Sequence, residues 1–262
     1  MEQTQMESKN INQLIQKAHQ AKEIQLELFN MALTHLPDDI TQLTHLEELY
    51  LENNQFTEIP ENIKKLPSLK VLSMEYNQIK TLPNDIENLK HLKKLNLANN
   101  DIESLSDSIG QFLDLEILDL RVNSLSELPD SFANMKKLEI LYLGRNKFQE
   151  LPDILVHLTQ LKDLGVGGNQ ISQIPIWLEK LRQLKFLSFS RNNISTVPES
   201  IRSLECLEHL ILRENKFASF PSELKNLKHL KLLDLRGNLF SDKNNVLTNV
   251  HSPNDIIQKY IN

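Results

Sequence analysis

The residues that could do chemistry are few, and the first to consider are the histidines and the single cysteine. His45, His91 and His229 occupy one position of a 23-residue period, and Cys206 occupies the same position one period before His229. A thiol beside an imidazole can act as a nucleophile with its base. Because no third residue at this position could orient the pair, we expect a surface pair without a catalytic role, and no enzyme activity.

Metal and cofactor binding are not predicted either. His45 and His91 are two periods apart, which at strand spacing is roughly 10 Å and too far for a shared metal ion. The sequence contains no glycine-rich phosphate loop and no HExxH, GxSxG or paired CxxC motif. We therefore expect no metal site and no cofactor.

Charge and composition exclude several classes of protein. A formal net charge of −6 disfavours a nucleic-acid partner, because that affinity depends on lysine and arginine. No apolar stretch of about 18 residues is present, so we expect no membrane span, and the first nine residues do not resemble a signal peptide. Since one cysteine cannot form an internal disulfide, we expect a cytoplasmic protein, or an effector delivered into a host cell.

The spacing of the leucines predicts the secondary-structure elements that position these side chains. Leucine makes up 48 of the 262 residues. Within the leucine pattern, asparagine recurs every 23 residues without an insertion, at Asn54, Asn77, Asn100, Asn123, Asn146, Asn169, Asn192, Asn215 and Asn238. The frame around each asparagine reads LxxLxLxxNxLxxLPxxIxxL. A degenerate first copy has Met31 in place of the asparagine.

This frame resembles the leucine-rich repeat family over residues 25–241. In LxL the two leucines have the strand period, so both point into the core and the residue between them points out. The LPxxIxxL segment has apolar residues at three-residue spacing, which predicts a helical or extended return arm behind each strand. Stacked repeats then predict an α/β solenoid, a horseshoe with a parallel sheet on its concave face. The resemblance implies a ladder of asparagine side chains that bond to the backbone of neighbouring repeats.

Both ends of the stack are expected to carry helical caps, because terminal repeats expose apolar side chains. Residues 1–24 are predicted to form a loose tail over 1–8 and a capping helix from Asn10 to Ile24. Residues 25–241 hold ten repeats. Residues 242–262 are predicted to form a C-terminal cap with a short helix that begins at Ser252 and Pro253.

The surface expected to bind a partner is the exposed face of the sheet, where side chains from every repeat form columns. In the first three repeats these columns hold four acids and no base, namely Glu27, Glu48, Glu52 and Glu75. In the later repeats they hold Lys94 and five arginines against four acids. Like charges on adjacent repeats, such as Arg213 beside Arg236, lower stability and so favour a binding role.

A sharper hypothesis concerns a glycine-rich part of that face. Three glycines belong to one repeat, namely Gly165, Gly167 and Gly168. A strand tolerates glycine where a ligand approaches closely. Arg145 and Arg191 flank Gly168 with two aromatic residues nearby, so this gap could receive an acidic or aromatic segment of a partner. The alternative is that Arg191 pairs with Glu214 on the next repeat and that the glycines reflect drift.

The leading hypothesis is a protein-protein interaction module that holds a partner on its concave face, as an adaptor, a scaffold or a bacterial effector. Repeats of this uninterrupted type are similar to those of bacterial intracellular proteins and of adaptors that bind small GTPases. The alternative is the recognition part of a larger enzyme, such as a Roco-type GTPase or a ubiquitin ligase, without its catalytic domain. An extracellular receptor is disfavoured because cysteine-bonded caps are absent.

We expect a monomer that binds a protein partner and neither nucleic acid nor a membrane. The residues predicted to contact the partner are Tyr50, Glu52, Glu75, Tyr76, Arg121, Tyr142, Arg145, Gly168, Phe186, Arg191, Ile211, Arg213 and Arg236.

Overall fold

The computed structural model describes residues 2–84, 89, 91–227 and 229–240. The predicted C-terminal helix after Ser252 lies outside these residues. The chain forms two compact units. Unit 1 comprises Met1–Ser124 and Leu128–Leu138, and unit 2 comprises Leu125–Glu127 and Glu139–Asn262.

Unit 1 begins with an α-helix, α1, from Glu2 to Ala21. Residues 2–8, expected as a loose tail, belong to this helix. The apolar spacing predicts a helix that begins only at Asn10. Residues 2–8 contain neither glycine nor proline, so no residue in them prevents the helix from starting earlier. Of the residues predicted to face the first repeat, Ile11, Ile15 and Ala18 are buried. The helix packs against the return arm of the first repeat.

Each repeat contributes one three-residue strand. Unit 1 holds β1 Gln25–Glu27, β2 Glu48–Tyr50, β3 Val71–Ser73, β4 Lys94–Asn96 and β5 Ile117–Asp119. Unit 2 holds β6 Ile140–Tyr142, β7 Asp163–Gly165, β8 Phe186–Ser188, β9 His209–Ile211 and β10 Leu232–Asp234. Within each unit, consecutive strands pair in parallel at a register of 23 residues, as in Leu26 with Leu49 and Leu164 with Leu187. The predicted parallel sheet is confirmed in both units.

The return arms contain short 3-10 helices, which agrees with the three-residue apolar spacing. In unit 1 the described ones are Asp38–Gln42, Glu61–Lys65, Asp107–Gln111 and Asp130–Asn134. In unit 2 they are Asp153–His157, Ile176–Lys180, Glu199–Ser203 and Ser222–Asn226. A proline precedes most of them in an extended conformation, and Ser106 adopts the same backbone angles where the proline is missing.

The core of each unit consists of the frame residues. Leu49 and Leu51 of the second repeat are both fully buried, and so are Leu141 and Leu143 of the sixth. Burying such a side chain stabilises the fold by about 1.5–3 kcal/mol. The leucines are therefore committed to packing between the sheet and the return arms.

The asparagine ladder implied by the resemblance is present. The Asn54 side-chain carbonyl accepts hydrogen bonds from the backbone N–H groups of Met31 and Leu33, both at 3.0 Å. Its amide donates to the carbonyls of Leu28 and Leu51 at 2.8 and 3.0 Å. Each ladder asparagine thus joins its own repeat to the preceding one and satisfies backbone groups that would otherwise be buried without partners.

Candidate protein-binding surface

In each unit, the residues on either side of the buried strand leucine form the exposed face of the sheet. In β2, Glu48 and Tyr50 are half-buried while Leu49 between them is fully buried. The column positions expected to face solvent are exposed or half-buried except where the side chain is short. The buried exceptions are Ser73, Ala98, Asp119, Gly144 and Asp234. Other short residues of the columns, such as Gly165 and Ser188, are half-buried, so a short side chain is common to the exceptions but does not by itself bury a position.

The column just before the ladder asparagines has a left-handed backbone, which the sequence analysis missed. Its φ angles lie between 53° and 74° at Asn30, Asn53, Tyr76, Asn99, Val122, Arg145, Gly168, Arg191, Glu214 and Gly237. This conformation costs a residue other than glycine about 1–2 kcal/mol. Half of these residues are asparagine or glycine, the types that tolerate it best, and that enrichment was the available signal.

Tyr50 and its neighbouring glutamates occupy one part of this face in unit 1. The Tyr50 hydroxyl donates a hydrogen bond to Glu48 Oε2 at 2.8 Å. That bond, partial burial and the charges of Glu48, Glu52 and Glu27 raise the pKa of Tyr50 to about 12. The hydrogen bond to Glu48, burial and the nearby carboxylates thus all disfavour the tyrosinate anion.

Glu75, Tyr76 and Glu52 lie beside them. The two carboxylate oxygens of Glu75 accept hydrogen bonds from the side-chain amides of Asn96 and Asn99, both at 3.0 Å. Tyr76 is 57% exposed. One carboxylate oxygen of Glu52, Oε2, is shielded from solvent and accepts no hydrogen bond from any described residue. The predicted binding residues of the first three repeats therefore include acids without a basic partner.

Arg121, the predicted binding residue of the fifth repeat, is paired inside unit 1. Its Nε donates to both carboxylate oxygens of Asp119 at 2.9 Å. Asp119 is buried, and its carboxylate also accepts a bond from the Arg121 backbone N–H at 3.0 Å. This charge is therefore largely satisfied by its own repeat.

Arg236 repeats this arrangement in unit 2. Its Nε and Nη2 donate to the buried carboxylate of Asp234 at 2.8 and 2.6 Å. Burial by itself would raise the pKa of Asp234, but the hydrogen bonds and charge of Arg236 outweigh burial and lower the pKa. Arg236 is consequently a structural partner of Asp234 as well as a surface residue.

Arg191 and Arg213 share one carboxylate in unit 2. Arg191 Nε donates to Glu214 Oε2 at 2.8 Å. Arg213 Nε lies 3.9 Å from the other oxygen of Glu214, a weak contact. The alternative interpretation of Arg191, a pair with Glu214, is confirmed. Both arginines keep two-fifths or more of their side chains exposed.

Arg145 is exposed and forms no ion pair with any residue that the structure describes. It lies beside Gly168, whose φ of +74° favours glycine. A Cβ at Gly165 would lie 2.9 Å from Cδ1 of Tyr142, so the Tyr142 ring covers the backbone there. Backbone conformation and packing account for these two glycines without a ligand, whereas Arg145 remains an available charge.

Phe186, His209 and Ile211 form an apolar part of the same face. The rings of Phe186 and His209 lie edge to face with centroids 6.3 Å apart. All three residues are half-buried. Asp163 pairs with Phe186 across β7 and β8, and burial raises its pKa more than nearby positive charges lower it. Unit 2 thus combines an apolar patch with arginines on one face.

Other chemistry finds little support. Cys206 is an exposed free thiol, and the described residues contain no group of three or more histidine, cysteine, aspartate or glutamate side chains that could hold a metal ion. A groove of about 810 Å³ in unit 2 is lined by polar residues, including Lys147, Gln149 and Gln170. Small-molecule pockets are mostly apolar, so this groove does not suggest a ligand site. In the described part of the chain, no helix has the length and hydrophobicity of a membrane span.

Comparison with protein families agrees with this geometry. Models described as leucine-rich repeat region and leucine rich repeat match residues 83–174 and residues 24–79 and 44–102, respectively. A further leucine rich repeat model matches residues 183–204. The chain belongs to the leucine-rich repeat family, and its fold is the leucine-rich-repeat solenoid. No curated protein sequence matches it.

Several solved structures are similar. The plant peptide hormone receptor RGFR1 in complex with RGF2 is 30% identical over 86% of this chain and 38% of its own, with a TM-score of 0.68. The ectodomain of the Arabidopsis thaliana receptor kinase GASSHO1/SCHENGEN3, in complex with Casparian strip integrity factor 2, is 33% identical over 78% and 26%, with a TM-score of 0.65. This chain therefore spans less than two-fifths of either receptor chain. An internalin of Listeria monocytogenes, inlF, shares the fold at 21% identity over 87% and 80%, with a TM-score of 0.62.

Proposed function

We propose that this chain is a non-catalytic module that binds a protein partner on the exposed sheet faces of its units. The observation that carries the proposal is which positions of the repeat vary from one repeat to the next. The leucine at the centre of each strand is buried in every repeat, whereas the next residue along the strand differs from repeat to repeat. In unit 2 those next residues are Tyr142, Gly165, Ser188, Ile211 and Asp234. Variation confined to one face of a constant frame is the pattern of a recognition surface.

The similar structures support a protein or peptide as the ligand. Each of the two receptor structures is a complex with a second factor, RGF2 in one and Casparian strip integrity factor 2 in the other. The fold of this chain resembles those ectodomains. By analogy, we propose that the ligand is a protein segment rather than a small molecule.

In unit 2, the arrangement favours a partner that carries both apolar and acidic side chains. Arg145 supplies a charge without an internal partner, and Arg213 has only a weak one. Phe186 and Ile211 supply apolar area on the same face. Aromatic and arginine side chains contribute most of the binding energy in typical protein interfaces.

The cellular role is part of the proposal. A single exposed thiol is compatible with a reducing compartment, so we propose an adaptor or scaffold in the cytoplasm, or an effector delivered into a host cell, that acts as a monomer. Light scattering of the purified chain tests the monomer. Fractionation of the source cells tests the compartment.

Partner capture with matched variants tests the function. The double variant Arg145→Glu with Arg191→Glu reverses two charges on the exposed face. The control, Arg182→Glu with Arg202→Glu, reverses two exposed arginines of unit 2 that lie outside the strands. We expect the first variant to lose the partner that the wild-type chain captures, and the control to retain it. Equal capture by both variants would exclude this part of the face, and no capture by the wild-type chain would count against the function itself.

A further inference from the structure

We infer that the exposed face of unit 1, at its first three repeats, binds a segment of a protein partner that is rich in lysine or arginine. This inference rests on the proposed function and specifies the chemistry of the partner. We call the surface the acidic face and define it by Glu27, Phe29, Glu48, Tyr50, Glu52, Glu75 and Tyr76.

The charges of the acidic face are not neutralised within unit 1. Some other carboxylates of this unit pair with bases, as Glu47 does with Lys70 at 2.7 Å and Glu116 with Lys93 at 2.9 Å. In contrast, the four glutamates of the acidic face form no ion pair with any described residue. Their hydrogen bonds come from neutral donors, such as the amide of Gln25, which donates to Glu27 at 2.8 Å. The negative charge on this face is therefore available to a partner.

Glu52 supplies a more specific observation. It lies between Phe29 and Glu75 in the same column, since the backbone N–H groups of Asn30 and Asn53 donate to the carbonyls of Glu52 and Glu75. Its Oε2 is shielded from solvent and accepts no hydrogen bond from the described residues. A buried carboxylate oxygen without a donor is costly. Once the Glu52 side chain turns this oxygen outward, an ammonium or guanidinium group of a partner would supply the missing bond.

Exposed aromatic side chains border these carboxylates. Phe29 is 46% exposed and Tyr76 is 57% exposed, an unusual state for large apolar rings. Lysine and arginine have long apolar stems and positive heads, so one side chain can pack on a ring and reach a neighbouring carboxylate. Aromatic rings next to unpaired acids therefore match a basic segment better than a purely apolar one.

Tyr76 also has an unfavourable backbone conformation. Its φ of 54° is shared by Asn53 and Asn99 in the adjacent repeats, and asparagine tolerates such an angle better than tyrosine does. A strained residue with an exposed ring contributes little to folding. The cost is consistent with a role for this ring in binding.

Two labelled peptides test the inference with the full chain. The first contains arginine, glycine and phenylalanine, and the second has glutamate in place of each arginine. We expect the arginine peptide to bind in fluorescence anisotropy, more weakly as salt rises, and the glutamate peptide not to bind. Similar binding of both peptides would overturn the inference, as would binding that salt does not affect.

Matched variants locate the binding. The triple variant Glu27→Gln, Glu48→Gln and Glu52→Gln removes three charges from the acidic face. The control, Glu58→Gln, Asp101→Asn and Glu103→Gln, removes three exposed charges of unit 1 from outside it. We expect the arginine peptide to bind the triple variant roughly tenfold more weakly than the control, since each exposed pair contributes little but several act together. Equal affinities would overturn the inference.

A third variant, Tyr76→Asn, separates binding from folding. We expect its melting temperature to equal or exceed that of the wild-type chain, and its affinity for the arginine peptide to fall. Unchanged affinity would remove the aromatic part of the inference. If a captured partner is lost from the Arg145→Glu and Arg191→Glu variant but retained by the acidic-face variant, the inference fails and the proposed function stands.

Discussion

In unit 1 three of the four glutamates of the first three repeats accept hydrogen bonds from tyrosine, glutamine or asparagine side chains, whereas in unit 2 the acids beside the arginines accept them from arginine. Glu48 accepts from Tyr50, and Glu75 accepts from two asparagines. Asp234 and Glu214 of unit 2 instead accept from Arg236 and Arg191. The same 23-residue frame therefore carries one face with unbalanced charge and one face with mostly internal pairs.

This difference shows why counting charges along a column is a poor guide to a binding surface. By count, the arginines of the later repeats are the more conspicuous feature. Among the described arginines of the exposed faces, however, Arg121, Arg191 and Arg236 each have a carboxylate within hydrogen-bonding distance. A charge with an internal partner has already lost much of its attraction for an external one. The charge that remains available lies mainly on the glutamates of unit 1, with Lys94 as an exposed base of the same unit, and on Arg145 in unit 2.

The largest effect is expected from the ladder asparagines, where the two units should not differ. Asn100→Ala in unit 1 leaves the N–H of Ile79 without an acceptor and removes one of the two side-chain hydrogen bonds that the carbonyl of Met74 accepts. Asn169→Ala in unit 2 does the same to Phe148 and Leu143. Each substitution should lower the free energy of unfolding by about 3 kcal/mol, measured by denaturant titration. A clear inequality would show that the frames of the two units are not equivalent.

The left-handed column gives the next largest effects, with opposite signs. Val122→Asn in unit 1 replaces a β-branched residue at φ 54° and should raise the free energy of unfolding by about 1 kcal/mol. Gly168→Ala in unit 2 places a Cβ at φ +74° and 3.0 Å from Arg145 Cγ, and should lower it by about 1 kcal/mol. Thermal melts of both variants check the signs. Destabilisation by Val122→Asn would mean that packing of the valine outweighs its backbone cost.

The internal pairs of unit 2 should appear as acid sensitivity. Because the folded pKa of Asp234 is lowered, its ionised form stabilises the fold above its unfolded pKa of about 3.9, and this contribution is lost as pH falls through the folded pKa. Asp234→Asn should therefore flatten the decline of stability below about pH 4. Asp163→Asn is the matched control, since the pKa of Asp163 is raised in the folded protein whereas that of Asp234 is lowered. Identical acid profiles for wild type and Asp234→Asn would contradict the pairing.

The smallest effect is local and reports the potential of unit 1. With a pKa of about 12, Tyr50 should resist ionisation in alkaline solution. Glu48→Gln removes the acceptor of its hydrogen bond and one nearby charge, so the pKa should fall toward the ordinary value of about 10. Tyrosinate absorbance measures the titration, and Tyr50→Phe assigns it. No change in Glu48→Gln would show that Glu48 does not set the potential there.

Regular spacing made the fold predictable. Nine asparagines 23 residues apart, each preceded by a leucine, any residue and a second apolar residue, were sufficient to place nine of the described strands, and the degenerate first copy placed β1. The N-terminal helix was harder, because apolar periodicity marks the buried part of a helix and not where it ends. The left-handed column was accessible in principle from its asparagines and glycines. It was overlooked because those residues also suit an exposed surface.

The candidate surface was only half predictable. The columns could be written from the sequence, and most of their members are exposed or half-buried as expected. Which charges pair could not be derived, because a pair depends on the reach and rotamer of each side chain. Arg121 turns back to Asp119 two residues away, while Arg191 reaches Glu214 one repeat on. The binding role of the glycine gap stays a prediction, and the sequence did not show that the Tyr142 ring lies over Gly165.

The sequence by itself determined the repeat, the buried leucines and the ladder, because a two-residue strand period and an unbroken 23-residue spacing leave one way to bury them together. Only the tertiary structure decided which exposed charges are free. Hydrogen bonds and close ion pairs act over a few ångströms, so which partner lies within reach depends on side-chain rotamers and, for some pairs, on residues of the adjacent repeat. That the acids of unit 1 and Arg145 of unit 2 lack an internal ion pair is therefore known only from the structure, although the sequence already placed each of them on the exposed face.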